Sequence, residues 1–357
     1  MAPPMEEFRI RPADGLRDRD QALGLVTQMW QCDISSRWDW LYERNPHGPA
    51  ITWIAVDDAD TAVAVTSIFP RKIVVAGRDR MGSMGGDCYV APRARRRGLA
   101  TKLHRATRAE MKQHGVDFMF GPPRPNNLEA LLKAGSYLVT TFRRFTRPLS
   151  GKAAYRALFK STPPRVLGPM PDLSLRVFDR ITGPSLRGWT LEPVTAFGEE
   201  FDRLFERARG EYPIIGVRDR VFLTWRYLEG QTRAQKPYAL RCRGELLGLV
   251  AFERDGDRMV LCEAYGAGGP ETTDAAIELA LREATAQGAS NMDIEVTVGS
   301  PLAARLKRRG FVARDEHGFQ LCIAPGDDQE LRLRTPAGWH FVDGDKDMDT
   351  VLSGEPE

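Results

Sequence analysis

The strongest chemical signal in the chain is Val90-Ala91-Pro92-Arg93-Ala94-Arg95-Arg96-Arg97-Gly98-Leu99-Ala100. The residues before it, "SMGGDCYV" at 83–90, read as a strand. Pro92 has no N–H for a ladder, so the strand stops there. Gly98 opens a helix. A strand, a short basic loop and a helix start leave backbone N–H groups unpaired at the positive end of the helix dipole. That arrangement cradles a phosphate-like anion. Gly98 lets the ligand approach the backbone, Ala100 keeps the first turn small, and the arginines add charge around the cradle. Basic runs of this length also serve as nucleic-acid patches. Those patches sit on tails or surface stripes with aromatics for base stacking. This one is braced by Pro92 and Gly98 between two regular elements, which argues for one small anion and against nucleic acid.

The rest of the composition narrows the class. The chain has 357 residues, enough for two ordinary domains. It carries 51 basic and 48 acidic residues, a formal charge of +3, so its surface as a whole is not built for polyanions. No apolar run approaches the roughly 20 residues of a membrane helix. "MAPPMEEFRIRP" has no signal-peptide core. These features predict a cytoplasmic protein with no membrane partner. Cys32, Cys88, Cys242, Cys262 and Cys322 are widely spaced and include no CxxC, and the five histidines are scattered. Neither a disulfide framework nor a metal site is expected.

The elements that must position the loop occur twice. "FRIRPADGLRDRDQALGLVTQMW" and "WTLEPVTAFGEEFDRLFERARG" each read as strand then helix, with Pro12 and Pro193 matching. A tryptophan-bearing segment follows in each half: Trp38, Trp40 and Tyr42 in the first, Trp225 and Tyr227 in the second. Next come strand-like runs, with hairpin turns at "RGELLG" and "RDGDR". A long helix, 98–114 or 271–287, then ends at Gly115 or Gly288. A strand, a short helix and a last strand close each half. The matched order predicts an internal duplication. The expected division is 1–148, a connector at 149–188, a second copy at 189–325, and a polar, acidic tail at 326–357. "DGDKDMD" in that tail lacks calcium-loop spacing and reads as a surface loop.

Val90, Pro92, Arg95, Gly98 and Ala100 match the acetyl-CoA motif V-x-P-x-x-R-x-x-G-x-G/A, so the chain resembles the GNAT acetyltransferase superfamily. The context at 8–147 agrees, including "NNLEALLKAG" where the family places N-x-x-A-x-x-x-x-x-x-G. The resemblance implies an α/β fold with a mixed sheet, present as two tandem copies. The second copy has "AYGAGGPETTDA" in place of the loop motif and is expected to be degenerate. It also implies acetyl-CoA as cosubstrate, with no metal. The amides of Arg95, Arg96, Arg97, Gly98, Leu99 and Ala100 would bind the pyrophosphate. Cys88, Tyr89 and Val90 would pair with the pantetheine arm, which Asn126 or Asn127 would also contact.

The implied reaction is acetyl transfer to a primary amine. A lysine-like amine is free base only about one part in 2,500 at pH 7, so a general base helps. Asp87, three residues before Val90 on the strand that carries family bases, is the candidate. The family's acid tyrosine is replaced by Leu131, and Tyr137 is the candidate substitute. Cys88 reads as a small buried residue rather than an acyl carrier. Trp38 and Trp40 read as core and His104 as part of a solvated helix face. A small-molecule amine is the expected acceptor: an amino sugar, an amino-acid-like amine or an antibiotic. Two other readings remain. One is a different acyl donor, a longer acyl-CoA or an aminoacyl-tRNA. The other is a non-catalytic CoA-binding sensor or scaffold. The oligomeric state is open.

Overall fold

A computed structural model describes residues 7–161, 170–230, 235–324, 330–335 and 338–346. The first repeat supplies strands β1 (Arg9–Pro12), β2 (Ile51–Val56), β3 (Ala62–Val75), β4 (Arg78–Val90), β5 (Phe118–Gly121) and β6 (Tyr137–Pro148). Its helices are α1 (Arg19–Trp30), α2 (Ser35–Arg37), α3 (Leu99–Glu110) and α4 (Pro125–Lys133), with a π-helical turn at Trp38–Glu43. The connector forms α5 (Gly151–Phe159) and α6 (Met170–Thr182). The second repeat supplies β7 (Trp189–Pro193), α7 (Glu199–Ala208), β8 (Ile214–Gly216), α8 (Arg220–Tyr227), β9 (Lys236–Cys242), β10 (Glu245–Asp255) and β11 (Arg258–Gly266). It continues through α9 (Gly269–Ala286), β12 (Asn291–Thr297), α10 (Pro301–Arg308) and β13 (Val312–Ile323). A short helix α11 (Glu330–Leu333) and strand β14 (Trp339–His340) follow.

All of these strands join one mixed sheet in the order β1-β2-β3-β4-β5-β13-β6-β12-β11-β10-β9-β7, with β8 on β3 and β14 on β8. The tandem α/β expectation therefore holds, with one feature that element order alone did not disclose. The last strands are exchanged. β13 of the second repeat pairs with β5 of the first, Leu321 opposite Phe120. β6 of the first repeat pairs with β12 of the second, Ile294 opposite Phe145. The two exchanged strands also pair with each other. Each repeat lends its final strand to the other, so the sheet has no internal edge.

Alternation along the strands sends side chains to two faces. On one face, Ile54, Val56, Val65 and Phe69 share a core with Leu249, Ala251 and Tyr265 of the second repeat, under α1, α7 and α8. Trp40 and Trp225 stack there at 4.1 Å and 6°. The Nε1–H of each donates to the other's carbonyl, at 2.9 and 3.0 Å. The duplication thus places a reciprocal tryptophan pair where the halves meet, and Trp38 and Trp40 are core, as expected. On the opposite face, α3 and α4 cover Trp53, Ala55 and Met119. There α9 and α10 cover Val250, Met292 and Ile294.

Candidate active site

β4 and β5 run parallel only briefly: Gly82, Ser83 and Met84 pair with Phe118, Met119 and Phe120. β5 then ends at Gly121, while β4 continues to Val90 along β3. The strands part into a wedge whose β4 side is Gly85–Val90. The glycines explain the close pairing at its closed end. A Cβ on Gly85 would lie 2.6 Å from Met119 Sδ, and one on Gly82 would lie 2.8 Å from Phe118. A bulge on β4 between Tyr89 and Gly86 adds to the bend, with Asp87 at a φ of 50°.

At the mouth of the wedge, Pro92–Ala94 makes one 3₁₀ turn and Ala94 is fully buried. Arg96 and Gly98 take left-handed φ values of 63° and 73° before α3 begins at Leu99. Left-handed turns entering a helix point successive amides inward, as an anion nest does. The first bond of α3 is from Lys102 N–H to the Gly98 carbonyl, so the amides of Leu99, Ala100 and Thr101 lie in its unsatisfied first turn. The arginines frame the loop. Arg93 pairs with Asp57 at 2.8 Å. Arg95 Nε donates to the Val90 carbonyl at 3.0 Å, its guanidinium over Tyr89. Arg97 lies over Phe8.

Across the wedge, α4 presents Asn126, exposed, and Asn127, half-buried. His104 Nε2 bonds Asn127 Oδ1 at 3.0 Å. This corrects the expected solvated position of His104. The ring is buried on α3, and burial holds its pKa below the usual range, so it is neutral. Gln320 on β13 is a buried polar residue opposite Gly121, the last residue of β5, that the sequence did not reveal. Its buried Oε1 has no hydrogen-bond partner among the described residues. Only the strand exchange brings it beside the first repeat.

Asp87 is not the free carboxylate the sequence suggested. Its side chain is 1% exposed. It accepts from Arg37 Nη1 at 2.6 Å, Tyr42 Oη at 2.7 Å and Trp30 Nε1 at 3.0 Å, with Arg37 Nη2 at 3.3 Å. Four donors occupy its two oxygens, and the guanidinium neutralises its charge. Burial and the Asp87 charge push the Tyr42 phenol far above its ordinary pKa, so it stays a donor. The second repeat contains the counterpart. Glu263 on β11 is fully buried and bonds Arg218 Nε at 2.9 Å and Tyr227 Oη at 3.3 Å. Tyr42 and Tyr227 are the matching tyrosines of the two tryptophan segments. The clamped carboxylate thus recurs in the repeat that lacks the loop motif. The arginines and tyrosines that hold it were not legible, because no spacing links residues 30, 37, 42 and 87.

Tyr137 is also displaced. The exchange inserts β13 between β5 and β6, leaving Tyr137 two strand spacings, roughly 10 Å, from β5. Its ring packs on the central aromatic cluster, under the Arg334 guanidinium at 4.6 Å. Burial raises its pKa. The Cys88 thiol is pushed up to about 12 by burial. It is a protonated thiol and a poor nucleophile at neutral pH. Among the described residues no group of three or more histidine, cysteine or carboxylate side chains is placed to hold a metal, and no helix is long and apolar enough to cross a membrane.

Comparison with known proteins agrees with this geometry. Residues 9–127 match the family described as "Acetyltransferase (GNAT) domain". A GCN5-related N-acetyltransferase from Anabaena variabilis superposes with a TM-score of 0.63 at 13% identity, over 88% of this chain and 72% of that one. A tandem GNAT protein from the clavulanic acid biosynthesis pathway gives 0.53 at 15% identity, over 90% of this chain and 100% of that one. N-myristoyltransferase from Saccharomyces cerevisiae, solved with bound myristoyl-CoA, gives 0.51 at 14% identity, over 94% and 90%. A sequence search of curated proteins finds no significant match. Residues 9–127 thus carry a GNAT acetyltransferase domain, and the chain as a whole shares the fold of tandem GNAT structures.

Proposed function

We propose that the first repeat binds an acyl-CoA, with acetyl-CoA as the donor, and transfers the acyl group to a primary amine of a small molecule. One observation carries the reading: the β4–β5 wedge opens onto the left-handed turn at Arg96–Gly98, at the start of α3. The pyrophosphate is held by the amides of Arg95–Ala100. The pantetheine arm pairs with the free edge of Cys88, Tyr89 and Val90, with Asn126 and Asn127 on the far wall. The acyl carbonyl then lies near strand amides that can donate to the developing oxyanion. Transfer is direct, because Cys88 is a protonated thiol. The amine attacks the thioester carbon, its proton passes to water, and the CoA sulfur leaves as thiolate.

Asp87 acts here as a positioning residue. It holds Trp30, Arg37 and Tyr42 against the β4 bulge, so the pH profile of kcat/KM keeps its shape in Asp87→Asn. Loss of the acidic limb would return Asp87 to the role of base.

The test is calorimetry with acetyl-CoA and myristoyl-CoA, followed by a panel of amines with thiol release as the readout. The expected result is micromolar acetyl-CoA binding that Gly98→Glu abolishes, and acceptor-dependent thiol release. Coenzyme binding unchanged in Gly98→Glu would overturn the site. Binding without thiol release to any amine would favour a sensor.

A further inference from the structure

The second repeat contains the same wedge, and it is filled. β11 and β12 run parallel only from Arg258–Val260 with Asn291–Asp293, then part, as β4 and β5 do. Segment 338–346 runs into the opening. Val342 forms an antiparallel bridge with Val296. Thr297 N–H donates to the Phe341 carbonyl at 3.3 Å, and Thr297 Oγ1 donates to the Trp339 carbonyl at 2.5 Å. Glu295 N–H donates to Asp343 Oδ2 at 3.2 Å. On the other wall, Gly344 sits so tightly that a Cβ there would lie 3.0 Å from the Cys262 carbonyl and would collide with the Tyr227 hydroxyl. An extended stretch of backbone therefore lies inside the wedge, the space a pantetheine arm takes in the reading of the first repeat, but bonded to β12, the counterpart of β5, where that arm would pair with β4. This also corrects the expectation of a surface loop for the first part of "DGDKDMD": Asp343, Gly344 and Asp345 are buried, while 347–349 lie outside the described residues.

The mouth of this second wedge is occupied too. Gly268 and Gly269 have left-handed φ values of 100° and 67° at the start of α9, as Gly98 has at α3. Their two N–H groups each donate at 2.7 Å to one oxygen of the Glu211 carboxylate. A bidentate anion thus lies on consecutive amides at the N-terminus of an 18-residue helix.

We propose that the second repeat is a coenzyme cleft permanently liganded by its own chain, with the Glu211 carboxylate in place of the phosphate and segment 339–345 in place of the arm. An intramolecular occupant acts at a high effective concentration, so diffusible acyl-CoA does not displace it. The occupant also joins the two repeats. Asp345 bonds Arg71 of β3 at 3.1 Å and Arg218 at 2.7 Å, and Gly344–Lys346 line the cavity beside Phe69 and Met84. The filled cleft of one repeat therefore forms part of the wall of the other. This inference goes beyond the reading of the first repeat and stands whether or not that repeat transfers acyl groups.

The test uses the full chain and no activity measurement. In a Gly98→Glu background, which blocks the first loop, thermal unfolding is followed with and without 10 mM inorganic pyrophosphate. Glu211→Ala is expected to lower Tm by about 2–4 °C. Pyrophosphate is expected to restore most of that loss and to leave the Glu211 parent unmoved. Equal response of parent and variant to pyrophosphate, or none in either, overturns the anion half of the proposal. For the arm, hydrogen exchange at the Glu295 and Thr297 amides is compared in wild type and Gly344→Val. Protection at least tenfold lower in the variant, with β5 amides unchanged, is expected. Should Gly344→Val fail to fold, Thr297→Val supplies the milder perturbation. Fast exchange at Glu295 and Thr297 already in wild type overturns the arm half.

Discussion

Asp87 and Glu263 are buried carboxylates, one in each repeat, and each is balanced by an arginine. For Glu263 and Asp345, burial is the largest single influence and would raise the carboxyl pKa, but the Arg218 charge together with His340, and for Asp345 also Arg71, outweighs it and both are held below the usual range. Removing one partner of such a pair leaves a bare buried charge, at a cost of about 3–5 kcal/mol. Asp87→Asn is therefore expected to lose that much stability in urea unfolding, and Arg37→Met with Asp87→Leu to recover a large share. Two buried histidines set the acid limit. His47 is buried, and desolvation with the Arg71 charge nearby pulls its pKa down to about 2. His104 shifts in the same direction, chiefly through burial. Such a histidine binds its proton more weakly folded than unfolded, so protonation favours unfolding. Its contribution is complete above the unfolded pKa of about 6.5 and declines as pH falls below it. Between pH 7.5 and 5.5, His47 alone is expected to withdraw about 1.4 kcal/mol. His47→Phe should flatten that slope, which unfolding free energies measured at several pH values will show.

At the scale of elements, the loop before α3 and the exchanged strands carry the consequences. Gly98 has a left-handed φ with open space at its Cβ position. Gly98→Ala therefore meets strain but no clash. It is expected to weaken coenzyme binding by about tenfold in calorimetry, with Tm nearly unchanged, whereas a carboxylate at 98 repels the phosphate outright. The exchange makes a different prediction. A 1–148 fragment keeps β6 but loses β13 and β12, leaving β5 with a bare edge and β6 without a sheet. Unpaired edges of this kind aggregate. The fragment is expected to be insoluble or unfolded by far-UV circular dichroism, while co-expression with 149–357 restores soluble material.

For the whole molecule, the duplication gives two wedges and the chain fills one of them. Calorimetry is expected to give one acetyl-CoA per chain, and a stoichiometry of two would contradict the self-liganded cleft. Arg71, Asp345, Arg218 and Glu263 form a buried chain of alternating charge across both repeats. Burial lowers the Arg71 pKa to about 10, with the guanidinium still protonated beside Asp345. Asp345→Ala is expected to unfold both repeats together at a Tm well below wild type. Separate transitions in differential scanning calorimetry would show that the repeats are not coupled through this residue.

The sequence alone determined the features that local chemistry controls. Pro92, Gly98 and Ala100 set a strand stop, a left-handed turn and a helix start, so the backbone course of the loop, on which the proposed anion cradle rests, was legible before any coordinates. The element order exposed the duplication, and the hairpin turn at Arg243-Gly244, left-handed at both residues, followed from its composition. Pairings between distant residues were left to the tertiary structure. Nothing in a one-dimensional pattern tells β6 to pair with β12 as well as with β13, because strand pairing between distant segments leaves no local signal. The decision comes from joining the two repeats into one sheet with no edge between them. Nor does local chemistry distinguish a catalytic aspartate from one clamped by Trp30, Arg37 and Tyr42, since the difference lies in donors up to 57 residues away. An acidic stretch such as 343–345 reads as solvated until a folded chain supplies Arg71 and Arg218 to bury it.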